Sequence, residues 1–144
     1  MNWIAVLFLA ASTAGSAAGG STADIINSGS TNTLGYVLHL HRTGSVVVDA
    51  KDGTTPHEAA VTPDLINRFF AALDAAKPLG SMPAGRCAKS KSFGHSIQVL
   101  YKDSLSPDLT CPLGANEAEL AALASQIARA AHISDRTRRP APAP

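Results

Sequence analysis

The stretch YVLHLHRTGSVVV, residues 36–48, decides the fold because it predicts two β-strands joined by a tight turn. Its first half alternates in side-chain character at the period of two that is typical of a half-buried strand. Its second half is a run of β-branched valines, and Gly44 between the two halves can take a positive φ. We therefore predict a hairpin here, followed by a second turn at residues 51–54 and a short extended piece over residues 58–61.

A helix is predicted directly after this hairpin. Thr62 can serve as N-cap, Pro63 suits the first helical position, and Asp64 lies near the positive end of the helix dipole. Pro78 and Gly80 end the helix. Apolar residues recur along one face, which we interpret as the principal core contact: Leu65, Ile66, Phe69, Phe70, Leu73 and Ala76.

The second half of the chain predicts another strand pair and another helix. Residues 93–101 alternate as a strand, residues 102–104 form a polar turn, and Pro107 marks the returning segment as an edge strand or a loop. Asn116 opens the last helix, with Glu119 as an imperfect capping-box partner. Five residues of this helix are predicted to face inward: Leu120, Leu123, Ala124, Ile127 and Ala131.

The order ββαββα predicts a two-layer α+β fold, with an antiparallel sheet of about four strands and two helices packed on one face. Residues 24–133 are long enough for one domain with one core. We expect a monomer.

The N-terminus predicts export. Residues 3–11 form an unbroken apolar run followed by small residues, as in a signal peptide covering residues 1–18, with cleavage after Ala18 or alternatively after Ala23. No Lys or Arg precedes the run, so an uncleaved anchor is the alternative, although nine residues at ~1.5 Å each fall far short of a ~30 Å hydrocarbon core. We expect a periplasmic or secreted protein without membrane contact after cleavage, ending in an extended Arg/Pro/Ala tail at residues 134–144.

Cys87 and Cys111 are the only cysteines, and in an exported protein they predict a disulfide. Closing a loop of about 25 residues is worth ~3.5 kcal/mol in the chain-entropy model. The alternative, two free thiols in a redox role, lacks the C-x-x-C spacing that such chemistry commonly uses.

The charge balance argues against nucleic-acid binding. Twelve Lys and Arg stand against eleven Asp and Glu, and three of the arginines lie in the tail, so the folded body is slightly acidic. Electrostatic capture of nucleic acid needs a dense basic face, which this body lacks.

One short basic segment, residues 86–92, is a candidate interaction surface. It carries Arg86, Lys89 and Lys91, and the predicted disulfide would bring it toward Ser106 and Asp108. A rigid basic loop could bind an acidic partner protein or a small anionic ligand. The alternative is a solvated loop whose lysines only maintain solubility.

His39 and His41 place two imidazoles on one face of the first strand, a spacing that some metal sites use. A third ligand could come from His57 or Glu58. The alternative is that both histidines are solvated, because the opposite face of the strand carries the apolar side chains. His95 is predicted to point inward and so cannot join this pair.

Gly94-His95-Ser96 resembles the start of a G-x-S-x-G nucleophile elbow, but Gln98 occupies the fifth position and the strand continues. No paired carboxylates or phosphate-binding loop stand out, and we predict no cofactor and no catalytic residue. The favoured function is a non-enzymatic binding or inhibitory module. The alternative is a metal-binding protein or metal-dependent enzyme that uses His39 and His41.

The segments CAKSKSFG, residues 87–94, and SPDLTC, residues 106–111, resemble small exported bacterial proteins of similar layout. The resemblance covers about the middle third of the chain. It implies the layout but no activity, cofactor or catalytic residue.

Overall fold

The computed structural model describes residues 22–76 and 78–133, so the predicted signal peptide and the predicted tail lie outside the described residues. The elements follow in chain order: β1 (Thr22–Asn27), β2 (Tyr36–His41), β3 (Val46–Ala50), β4 (His57–Ala59), α1 (Pro63–Ala75), a 3-10 turn (Leu79–Ser81), β5 (Ile97–Tyr101), β6 (Ser104–Leu105) and α2 (Ala115–Ala130).

The strands form one antiparallel sheet in the order β4-β3-β2-β1-β5-β6. The predicted α+β class and antiparallel sheet are confirmed, but the sheet has six strands rather than about four. The main omission is β1, which lies at the centre of the sheet, where Ile25 stands opposite both Leu38 and Val99. It escaped prediction because it follows directly on the small-residue stretch that reads as a cleavage zone.

The core lies between one face of the sheet and the two helices. Strand residues on this face alternate with half-buried or exposed residues on the other, as in a sheet with one packed and one open face. The buried residues of α1 and α2 join the same cluster, so both helices pack on this face. Phe70 of α1 meets the Tyr101 ring edge-on, with centroids 5.9 Å apart.

The first hairpin and the inward face of α2 agree with the sequence prediction, whereas the starts of β5 and α2 differ. Strand β5 begins at Ile97 rather than Phe93, because the preceding residues form a turn. Helix α2 begins two residues early, with Gly114 rather than Asn116 as N-cap and Glu117, rather than Glu119, buried at the third helical position. Thr62 is the N-cap of α1 but makes no side-chain capping bond.

A polar network fastens the end of α1 to the sheet. The Arg42 guanidinium donates to Asp74 (2.8 Å) and to the Tyr101 hydroxyl (2.9 Å), and that hydroxyl donates to the other Asp74 oxygen (2.9 Å). Arg42 also lies 4.6 Å from the centre of the Phe70 ring. These contacts fix the turn of the first hairpin against the helix layer.

Within the described ranges, neither helix has the length and apolar character that a membrane crossing requires.

Candidate functional site

The predicted disulfide between Cys87 and Cys111 is present, with the two Cα atoms 5.6 Å apart. Gly85 shows how closely the two segments joined by the disulfide approach, because a Cβ at this position would lie 1.8 Å from the Cys111 carbonyl oxygen. The disulfide therefore joins the loop after α1 to the segment between β6 and α2. We call residues 86–96 the stapled loop; it contains the basic segment.

The three cations of the basic segment have different environments. The Lys89 ammonium forms an ion pair with Asp108 and donates to the His95 carbonyl (2.8 Å). Arg86 and Lys91 are exposed, and neither side chain has a partner among residues 22–76 and 78–133. Lys89 thus acts within the loop, and two cations remain available to a partner.

Asp108 and Ser106 lie beneath the loop rather than on its surface. One Asp108 oxygen accepts from the Ile97 amide (3.2 Å), the Thr110 amide (3.0 Å) and the Thr110 hydroxyl (2.8 Å). Burial alone would raise the pKa of Asp108, but the bonds from Lys89, Thr110 and Ile97 hold that pKa below its ordinary value. The buried Ser106 hydroxyl accepts from the Val99 amide (2.9 Å), so it stabilises β5.

A second loop, residues 28–35 between β1 and β2, is hydrogen-bonded along the stapled loop. The Ser92 carbonyl accepts from the Asn32 amide (3.2 Å) and the Ser30 hydroxyl (2.9 Å), and the Thr31 hydroxyl donates to the Lys91 carbonyl (2.9 Å). The two loops therefore form one continuous surface at this end of the sheet, held by the disulfide on one side and by β1 on the other.

A cleft of about 400 Å³ opens between these two loops and the C-terminal half of α2. Such a volume is within the range of small-ligand sites. Apolar and polar groups contribute to its walls: Asn27, Thr33, Leu34, Tyr36, Phe93, His95, Ile97, Ser125, Ala128, Arg129 and Ile133.

Two buried polar residues of the cleft already bond each other. Tyr36 is 7% exposed, and burial raises its pKa, while a hydrogen bond with the Asn27 side chain lowers it by less. Asn27 also accepts from the Gly29 amide (2.8 Å). Tyr36 is therefore a neutral phenol at physiological pH, and this pair forms a fixed part of the wall.

The positive charge of the cleft comes from Arg129. None of the described residues that line the cleft is an Asp or Glu, and within the same part of the chain the Arg129 side chain has no ion-pair or hydrogen-bond partner. Phe93 stands at the same cleft with 67% of its surface exposed. The cleft thus combines a cation, an exposed aromatic ring and apolar walls.

The end of α2 is closed on itself beside the cleft. The Ile133 amide donates to the Ala128 carbonyl (3.2 Å) and the His132 amide to the Arg129 carbonyl (3.0 Å), the pattern of a Schellman motif. His132 occupies the position where glycine is usual, with φ +55°. The carbonyls of Ala128 and Arg129 in the last turn of α2 are therefore already hydrogen-bonded within the helix end.

His39 and His41 lie on the open face of the sheet. The His39 ring bonds Asp24 (Nδ1 to Oδ1, 2.9 Å) and His41 is exposed. His57 lines a separate recess on the helix side, and Val47 stands between His39 and Glu58 across the strands. No cluster of three or more His, Cys, Asp or Glu side chains suited to a metal ion occurs within the described part of the chain.

No family model, curated protein or solved structure matches this chain.

Sequence patterns did not identify the cleft. Phe93 was assigned to the first position of a strand, and Arg129 lies on the polar face of α2, where a binding cation and a solvated one look alike in sequence. The available signal in the sequence was the pair Ser92 and Gly94 on either side of Phe93, because serine and glycine favour turns. The structure shows a tight turn at this point, where a Cβ on Gly94 would lie 2.4 Å from the Ser90 carbonyl oxygen.

Proposed function

We propose that this protein is an exported, non-enzymatic binding module that meets its partner through the stapled loop and the cleft beside it. The observation that carries the proposal is the exposed Phe93, which lies on a loop fixed by a disulfide and stands at a cleft with Arg129, a cation whose side chain has no partner among the described residues. Exposed aromatic rings and arginines held in rigid loops are the groups that contribute most to binding energy at interfaces.

The segments joined by the disulfide carry a second exposed apolar side chain. Leu113, two residues beyond Cys111, is 63% exposed, and its side chain packs near Gly85. Arg86 and Lys91 add positive charge. We therefore expect a partner whose contact surface is partly apolar and acidic.

Export is part of the proposal. A disulfide fits an oxidising compartment. Signal cleavage after Ala18 would leave β1 whole, whereas cleavage after Ala23 would remove two residues that pair with β2. We propose the former position and a periplasmic or secreted location.

Site-specific photo-cross-linking in the exporting cell tests this function. A benzophenone amino acid replaces Phe93 in one variant and the exposed Asn67 of α1 in a control variant. We expect one discrete adduct from position 93 that is absent from position 67 and is lost when Lys91→Glu is added. Identical adducts from both positions, or none from position 93, would overturn the proposal.

A further inference from the structure

From the lining of the cleft, we propose that it recognises a carboxylate attached to an apolar or aromatic group. This inference deepens the proposed function by naming the chemical class of ligand that the cleft binds, and it rests on that function.

The sign of the ligand charge follows from the residues at the cleft. Among the described residues that line the cleft, Arg129 is the only one with a charged side chain of the Asp, Glu, Lys or Arg type, and it is unpaired within that part of the chain. A guanidinium presents paired N–H donors that match a carboxylate in a bidentate arrangement. Ser125, one turn before Arg129 on α2, and His95 across the cleft supply further hydrogen-bonding groups at the same opening.

The apolar part of the ligand follows from the remaining walls. Leu34, Ile97, Ala128 and Ile133 line the cleft, and Phe93 offers an exposed ring at its side. The Asn27 side chain accepts from the Gly29 amide and lies beside Tyr36, so these two residues belong to the fixed wall of the cleft. A volume of about 400 Å³ accommodates one aromatic or branched side chain together with its carboxylate.

This chemistry has two sources, a free organic acid and the C-terminal carboxylate of a partner protein. The test titrates ¹⁵N-labelled, oxidised protein with N-acetyl-L-phenylalanine and with N-acetyl-L-phenylalaninamide, followed by amide shifts. A heptapeptide of six alanines and a C-terminal phenylalanine, with a free or an amidated C-terminus, provides the second pair of probes.

We expect the free acid to shift amides around the cleft and to bind at least tenfold more tightly than its amide. Arg129→Gln should remove this preference, whereas Arg68→Gln, a matched change on the exposed face of α1, should leave it intact. A free-acid peptide that binds more tightly than N-acetyl-L-phenylalanine supports the partner C-terminus, and equal or weaker binding supports a free organic acid.

Equal affinity for acid and amide, shifts confined to residues outside the cleft, or an unchanged preference in Arg129→Gln would overturn the inference. Retained dispersion of the amide spectrum shows that the Arg129→Gln variant is folded. If the titration fails while position 93 still yields its discrete adduct, the carboxylate inference fails alone. Loss of that adduct instead removes the proposed function itself.

Discussion

Replacing Asp108 tests which contacts hold the stapled loop against β5. Asp108→Ala removes the acceptor of three hydrogen bonds and the partner of Lys89, and it leaves the Ile97 amide unpaired at the start of β5. At about 1 kcal/mol for each hydrogen bond, the three bonds amount to about 3 kcal/mol. The Lys89 pair adds little, on the order of 0–1 kcal/mol, because both side chains are over a quarter exposed, at 28% and 27%.

Asp108→Asn is the matched control, because its amide oxygen can still accept the three bonds while the charge is lost. We expect it to cost only about 1 kcal/mol, the part that depends on charge. Urea unfolding of the oxidised proteins at pH 7, with equal slopes, measures both differences.

The pH dependence of the free energy of unfolding provides a second measure of what the Asp108 charge contributes. The pKa of Asp108 is lower in the folded protein than in the unfolded chain, so its ionisation stabilises the fold above the unfolded pKa, and this contribution is lost as the pH falls through the folded value. The stability gap between wild type and Asp108→Asn should therefore be constant from pH 7 to about pH 5 and narrow below about pH 4. An Asn variant as unstable as the Ala variant, or a gap that widens in acid, would refute this reasoning.

Three further changes probe the sheet, the end of α2 and the disulfide. Ile25→Ala should cost about 2–5 kcal/mol, since Ile25 is fully buried in the core, while Ile26→Ala on the open face should cost well under half of that in the same urea assay; similar losses would contradict the central position of β1. His132→Gly should stabilise the protein by about 0.5–1 kcal/mol by relieving its positive φ, and a lower thermal midpoint would count against the helix closure. Replacing Cys87 and Cys111 together by Ser should cost ~3.5 kcal/mol for a separation of 24 residues, and an unchanged urea midpoint would show that the staple adds nothing.

The sequence predicted the parts of the fold that local periodicity determines. The β2–β3 hairpin and the apolar stripes of both helices are regular and have clear turn or breaker residues around them. Strand β1 was missed because its six residues follow a small-residue segment without a turn signal, and its central position depends on pairing with both β2 and β5. Long-range pairing of this kind leaves no local pattern.

The candidate site was predicted in part. The disulfide is confirmed, and it follows from having two cysteines in a chain with export features. The internal ion pair between Lys89 and Asp108 could not be foreseen, because a charge looks the same in sequence whether it pairs internally or faces solvent. The cleft is built from β1, β2, β5, α2 and two loops, so only the folded arrangement places Phe93 and Arg129 at one opening.

Competition between a small carboxylate and the cross-linked partner at position 93 tests most directly whether the cleft and the stapled loop form one binding site. The benzophenone variant at this position forms its adduct in oxidised extracts containing either N-acetyl-L-phenylalanine or its amide at saturating concentration. If the cleft and the stapled loop are one binding site for a carboxylate, the acid suppresses the adduct and the amide leaves its yield unchanged. An adduct that forms undiminished in the presence of the acid would contradict that assignment.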